Sequence, residues 1–248
     1  MLPPDTATAR TLGIPLREAE IHTAVAAVGA ALLPRFRADA DFVIAEELAL
    51  AYGRPDIIAA SVDLARFRKW RTKQIAPCTA PLALSAALAL SKLGGKATVE
   101  QFVSREADAV ARSRLRRSLS TLADLGWVRR RGDALMLRMG PGEALHAASG
   151  VEAKLNNWRR AVRQVQSWEA YVDAVWLAFP GSYLKHVPRT TALRRFGLIS
   201  VKDGEASILR RPSGRRTHGV RHVLMEQHLY ARWLSVTRRR PRSHVSQT

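Results

Sequence analysis

Residues 174–180, Ala-Val-Trp-Leu-Ala-Phe-Pro, form an uninterrupted apolar run of strand length. A strand that is apolar at every position has no face to give to water, so it belongs inside a sheet covered on both sides. That demand selects an α/β architecture, and the flanking text agrees. Upstream, Gly150-Val-Glu-Ala-Lys-Leu reads as a strand, followed by a helix from Trp158 to about Ala170 with Ala161, Val165 and Trp168 on one face. Downstream, Phe196-Gly-Leu-Ile-Ser-Val and Ala206-Ser-Ile-Leu flank an Asp203-Gly204 turn, which predicts a hairpin. Nearer the start, Ile21, Val25, Val28 and Leu32 recur at helical spacing up to Pro34. Asp41 to Leu50, a Tyr52-Gly53 turn and Arg54-Pro-Asp-Ile-Ile-Ala-Ala-Ser-Val then read as strand, turn, strand, and Asp63 to Ile75 as a basic helix or arm.

Composition changes at Ala76-Pro-Cys-Thr-Ala-Pro. Beyond this point the chain predicts an Ala/Leu helix over about 81–93, a Gly94-Gly95 break, a short helix from Thr98, a longer one over about 107–125, and a hairpin turning at Gly132-Asp133. This is the order of a winged helix-turn-helix, and the run Leu122-Ala-Asp-Leu-Gly-Trp-Val-Arg-Arg resembles the join between third helix and wing in winged-helix DNA-binding domains. In the long helix Leu115, Leu119 and Leu122 share a buried side that leaves Arg114, Arg116 and Arg117 facing outwards. With Arg112 and the wing residues Arg129, Arg130 and Arg131 they are candidate DNA contacts. A solvated basic face on a protein-interaction module is the alternative for the same residues.

The 248 residues carry 40 Lys+Arg against 21 Asp+Glu, a net charge of +19. Of the 40 bases 33 are Arg, whose planar fork suits phosphate. Residues 104–131 contribute +5 and the tail from Glu205 contributes +8, so the surplus points to a polyanion, with nucleic acid favoured over a membrane surface. A 47% hydrophobic content excludes disorder throughout. No run reaches the length of a membrane span, and the start, Met1-Leu-Pro-Pro-Asp, lacks the features of a secretory leader, so a cytoplasmic protein, nucleoid-associated when bound to DNA, is expected. The single Cys78 excludes an intramolecular disulfide and a thiolate-rich zinc site. No Gly-rich loop followed by Lys-Ser/Thr is present, and His218, His222 and His228 lie among arginines, which disfavours a metal site there. Trp158, Trp168 and Trp176 are expected in the core. Residues 1–15 and the Arg-rich end are expected to be loose, with a helix near 219–236.

In so basic a chain the informative residues are acids placed on apolar strands. Asp56 stands directly before Ile-Ile-Ala-Ala, and Glu152-Ala-Lys154 is the one acid-x-Lys triplet in the chain. Strand alternation directs Glu152 and Lys154 to one face and Val151 and Ala153 to the other. A carboxylate and an ammonium on a buried strand are costly unless something uses them. Two carboxylates from neighbouring strands, with a backbone carbonyl, can hold Mg²⁺, and a lysine beside them can orient or deprotonate an attacking water.

These residues resemble the PD-(D/E)XK superfamily of restriction-endonuclease-like phosphodiesterases. The resemblance rests on Arg17-Glu-Ala-Glu-Ile-His, Gly53-Arg-Pro-Asp-Ile-Ile-Ala, Val151-Glu-Ala-Lys-Leu, and Ala161-Val-Arg-Gln-Val-Gln followed by the apolar strand at 174–180. It implies a mixed sheet flanked by helices, with Asp56 and Glu152 as metal ligands, Lys154 acting on the water, and Glu18 supporting the metal or its waters. Glu20 competes with Glu18 for that role. Gln164, ten residues after Lys154, matches the helix glutamine near such sites. The 96-residue separation of Asp56 from Glu152 implies that the winged helix is inserted between adjacent strands. The expected layout is a first nuclease segment over 1–75, the insert over 76–140, a second nuclease segment over 141–212 and a basic C-terminal region over 213–248.

The resemblance implies a Mg²⁺-dependent endodeoxyribonuclease, with Mn²⁺ as a substitute, acting on double-stranded or branched DNA and able to pair as a homodimer. The rival expectation is a non-catalytic DNA-binding regulator or scaffold on a relic nuclease core, and RNA is a third substrate class.

Overall fold

The computed structural model describes residues 17–35, 37, 39–51, 53–104, 108–188, 190, 193–214 and 216–239. The loose segment expected over 1–15 and the Arg-rich end after 239 lie outside the described residues. The chain divides into two compact units, Met1–Arg66 with Gly142–Met225 and Phe67–Pro141 with Glu226–Thr248. The first break falls at 66/67, where composition suggested 75/76, and the C-terminal region is divided between the units at 225/226. Aromatic packing accounts for the earlier break. Phe67 and Trp70 lie 5.2 and 5.3 Å, ring centre to ring centre, from Tyr230, and the Tyr230 hydroxyl donates to the Ile75 carbonyl at 2.9 Å. Residues 67–75 therefore belong with the unit that contains Tyr230.

The first unit is α/β, built on a mixed six-stranded sheet in the order β1-β2-β6-β7-β8-β9. Its strands are β1 (Asp41–Glu46), β2 (Ile57–Val62), β6 (Leu145–Ala153), β7 (Ala174–Pro180), β8 (Gly197–Lys202) and β9 (Glu205–Arg210). The pairs β6·β7 and β7·β8 are parallel, and the others are antiparallel. Every residue of β7 is buried, as its composition demands. Helix α1 (Glu18–Ala27) sends Ile21, Ala24 and Val25 into a core with Ile57, Val151, Ala153, Trp176, Ala178, Ile199 and Val201. Val151 and Ala153 thus face α1, as alternation along β6 requires.

Two elements differ from the sequence expectation. The helical pattern continues to Pro34, but α1 ends at Ala27 and the chain passes through a 3-10 turn, Gly29–Leu32. At Gly29 the backbone lies so close to β1 that a Cβ would sit 2.6 Å from Ile44 Cδ1 and 2.7 Å from Phe42 Cζ. Strand β6 begins at Leu145 rather than near Gly150. Residues 145–149 have little β propensity, but their pairing with Ser61, Ala60 and Ala59 of β2 overrides it.

The second unit contains the remainder of α2 (Leu64–Thr72), then α3 (Pro81–Lys92), β3 (Lys96–Thr98), α4 (Val99–Val103), α5 (Ala109–Asp124), β4 (Val128–Arg131) and β5 (Ala134–Leu137). Its three strands form an antiparallel sheet in the order β3-β5-β4. Helix α4 is only five residues long and is held by a reciprocal capping box between Thr98 and Gln101. Asp108 caps α5 by accepting from the amides of Val110 and Ala111. Leu119 and Leu122 are buried and Leu115 half-buried, with Arg114, Arg116 and Arg117 exposed on the other side. Helix α6 (Trp158–Trp168) lies between β6 and β7 in the chain of the first unit, and α7 (Gly219–Arg239) completes the described residues. Among the described residues no helix is long and apolar enough to cross a membrane.

One substitution tests the central packing. A Cβ at Gly150 in β6 would fall 2.3 Å from Trp168 Cζ3, a fully buried ring that cannot swing aside. Gly150→Ala should therefore lower unfolding stability by about 1–3 kcal/mol in urea titration, the usual cost of overpacking a filled core. An unchanged midpoint would show that this layer is loosely packed.

Candidate active site

Strand register brings the site together. Ile57 pairs with Val151 across antiparallel β2 and β6, so Asp56, one residue before β2, comes level with Glu152 near the end of β6. The position is then locked by a hydrogen bond, because Asp56 Oδ2 accepts from the Ala153 amide at 2.8 Å. Lys154, the first residue beyond β6, reaches back over the same end of the sheet. Its Nζ donates to Asp56 Oδ2 at 3.3 Å and to the Ala153 carbonyl at 2.8 Å, and lies 3.0 Å from Glu152 Oε1. From the first turn of α1, Glu18 Oε2 approaches the same ammonium to 3.8 Å.

Asp56, Glu152, Lys154 and Glu18 are thus gathered at one place, and Glu18 rather than Glu20 is the helix acid that meets the lysine. Gln164 lies on α6, one turn before Trp168. Its Oε1 is buried without a hydrogen-bond partner, and no hydrogen bond or ion pair joins it to the other four among the described residues. The arginines Arg112, Arg114, Arg116, Arg117, Arg129, Arg130 and Arg131 belong to the second unit. Trp168 and Trp176 are core residues, as expected, and Trp158 is half-buried.

Hydrogen bonding distinguishes two buried acids. Asp173, only 6% exposed, accepts from the amides of Ala148 and Thr217 at 2.9 and 2.6 Å and is a satisfied structural carboxylate. Glu152 is fully buried, yet beyond its ion pair with Lys154 neither Oε1 nor Oε2 has a well-formed hydrogen bond. The Lys154 ammonium and the Trp168 indole are its polar neighbours, without well-formed hydrogen-bond geometry, which makes Glu152 a candidate site residue. Burial, reinforced by the charge of Asp56, pushes the Glu152 carboxyl up to about 7, and Lys154 and the Trp168 indole oppose this only in part. For Lys154, burial alone would lower the pKa, but the carboxylates of Glu152, Asp56 and Glu18 outweigh it and hold the ammonium above its ordinary range. The lysine is therefore a fixed cation here, suited to orienting water or meeting phosphate charge rather than to accepting a proton.

Two features carry no role in the sequence reading. His22 stands one turn after Glu18 on α1, with its Nε2 buried, without a hydrogen-bond partner, and 3.9 Å from Asp56 Oδ2. Its spacing of four from Glu18 is the one signal the sequence offers for it. Arg159, Arg160 and Arg163 are exposed on α6, the helix that bears Gln164. Their grouping is readable as a basic turn, but their exposure depends on which face of α6 packs against the sheet.

No protein-family profile matches the chain, and no curated protein matches it. Among solved structures, the chain is similar to a protein of unknown function from Silicibacter pomeroyi, at 19% identity over 64% of this chain and 89% of that one, with a TM-score of 0.29.

The pH dependence of stability follows from Glu152. Its folded pKa near 7 exceeds the usual 4.5, so protonation favours the native state. That contribution is complete below about pH 4.5 and is lost as pH rises through about 7, a span worth roughly 3 kcal/mol. In metal-free buffer, Glu152→Gln should therefore gain on the wild type in melting temperature as pH is raised from about 5 to 8. Parallel curves would show that Glu152 is not held neutral by its surroundings.

Proposed function

We propose that the protein is a metal-dependent endodeoxyribonuclease with a PD-(D/E)XK active site. The observation that carries this reading is the convergence of Asp56, Glu152 and Lys154 at one end of the β2·β6 pair, with both Glu152 oxygens buried and short of hydrogen bonds. Those oxygens, the Asp56 carboxylate and the Ala153 carbonyl are a hard-oxygen set that fits Mg²⁺ or Mn²⁺, with water and substrate phosphate completing the shell. Among the described residues no group of three or more His, Cys, Asp or Glu is arranged to hold a metal. Glu18, on the solvent side of the lysine, would hold waters around the ion.

When bound, the ion supplies charge neutralisation at the phosphate and a water of lowered pKa. The chain's own residues do the rest. Lys154, kept cationic by three carboxylates, orients the attacking water and faces the charge that builds on the phosphoryl oxygens. Asp56 is fixed by the Ala153 amide, so the two strands hold its separation from Glu152 constant as substrate enters. Gln164 presents an unsatisfied amide oxygen from α6. Arg159, Arg160 and Arg163 on the same helix bind substrate phosphates.

The second unit serves as a winged helix that positions the DNA. The order α3, β3, α4, α5 and a β4-β5 hairpin supports this, and α5 would be the recognition helix, presenting Arg114, Arg116 and Arg117, with Arg112 half-buried beside them. Arg129, Arg130 and Arg131 follow on the wing.

Incubation of supercoiled, linear, branched and single-stranded DNA with Mg²⁺ or Mn²⁺ should give endonucleolytic products. Glu152→Ala, Asp56→Asn and Lys154→Ala should each reduce the rate by at least about 100-fold while DNA binding is retained. Equal nicking by wild type and Glu152→Ala would remove the active-site reading, and binding without cleavage would indicate a non-catalytic DNA-binding protein. With roughly six to eight phosphates contacted, log affinity for duplex should fall against log salt with a slope near −5 to −7.

A further inference from the structure

We infer that the open face of the β3-β5-β4 sheet is a binding site for an unpaired nucleic-acid strand. The inference rests on the proposal that the protein acts on DNA, and it narrows the substrate to DNA with a single-stranded segment. Register defines the face. Lys96, Met136 and Arg129 lie directly opposite one another across the three strands, and Thr98, Ala134 and Arg131 form the next row on the same side. The other face carries Ala97, Leu135 and Arg130. Leu135 is buried there, and the Arg130 guanidinium is turned back to donate to the Gly132 carbonyl at 2.9 Å. Arg129 and Arg131 are therefore separated from Arg130 by the pleat, as alternation along a strand requires.

The open face forms a concavity of about 440 Å³ with no acidic residue among the described residues that line it. Its floor is apolar: Met136, on the central strand, is 44% exposed. Cations stand on both flanks, Lys96 on one outer strand and the two arginines on the other, about 10 Å apart at two strand spacings. One wall is rigid, because Thr98 and Gln101 are committed to each other in the capping box, which limits the ordering that a ligand must impose.

A ligand that fits must offer negative charge at its edges and an apolar face between them. A duplex offers phosphate and sugar outwards but keeps its base faces stacked inside. An unpaired strand presents both at once, with base faces available beside the backbone. A methionine thioether is a soft, adaptable contact for such a ring. Charge and apolar surface on this face therefore match a single strand better than a duplex.

The test uses the full chain with Glu152→Ala, so that DNA stays intact, and follows anisotropy of a labelled 20-nucleotide oligothymidylate and a labelled 20-base-pair duplex over a range of salt. Lys96 and Met136 are exposed, so Lys96→Ala and Met136→Ala should fold normally. Lys96→Ala should weaken single-strand binding about threefold and make its salt slope shallower by about 0.7, one phosphate contact. Met136→Ala should weaken it by a similar factor, about threefold, with the slope unchanged, since the lost contact is not ionic. Duplex affinity should stay within about twofold for both. Equal losses on duplex and single strand would overturn the inference in favour of ordinary backbone contact. No loss on the single strand, or tighter binding of a poly-glutamate peptide than of the oligonucleotide, would also overturn it. Failure of the wild-type protein to cleave DNA would remove the nuclease proposal and leave these binding outcomes unaffected.

Discussion

The antiparallel pairing of β2 with β6 is the contact on which the candidate site depends. It places Asp56 level with Glu152 although 96 positions separate them, and the Ala153 amide then fixes the aspartate from the neighbouring strand. A one-residue slip would turn Glu152 towards the α1 core, where Val151 and Ala153 now lie, and would send an apolar residue to the site. The apolar core thus enforces the register, and the register sets the carboxylate spacing. The geometry of the candidate site therefore follows from core packing on the opposite side of the same strand.

The electrostatics of the candidate site centre on Lys154. Three carboxylates converge on one lysine, yet the most deeply buried of them has no well-formed hydrogen bond of its own. Breaking up such a cluster leaves uncompensated charge, and keeping it leaves Glu152 destabilised when ionised. Asp173, equally inaccessible for practical purposes, shows how the fold treats an acid it needs only for structure: two backbone amides satisfy it. The contrast between these two buried acids lies in their hydrogen bonding, and it is what singles out Glu152 as a candidate site residue.

Much of the first unit is legible in the chain. The all-apolar β7 requires a covered sheet, the Asp-Gly turn marks the β8-β9 hairpin, and the Glu-x-Lys triplet marks the strand that carries the candidate chemistry. The departures have local causes. Helix α1 gives way to a 3-10 turn in which Gly29 packs against the Ile44 and Phe42 side chains, and β6 starts early because its partner strand, not its composition, extends it. His22 gives only its spacing of four from Glu18 as a sign in the chain, because a lone histidine on a helix has no further signature until its neighbour across space, Asp56, is known.

The sequence by itself pointed to the α/β class, to Asp56, Glu152 and Lys154 as candidate site residues, and to the excess of arginine over acids, because these follow from alternation and composition along a single stretch of chain. Tertiary structure alone decided which acid of α1 meets the lysine, that Glu152 is left short of donors, and that residues 67–75 pack with Tyr230. Each of these depends on strand register or on a contact between residues far apart in the chain. Register is set by the summed packing of whole strands, so no local pattern could have supplied it.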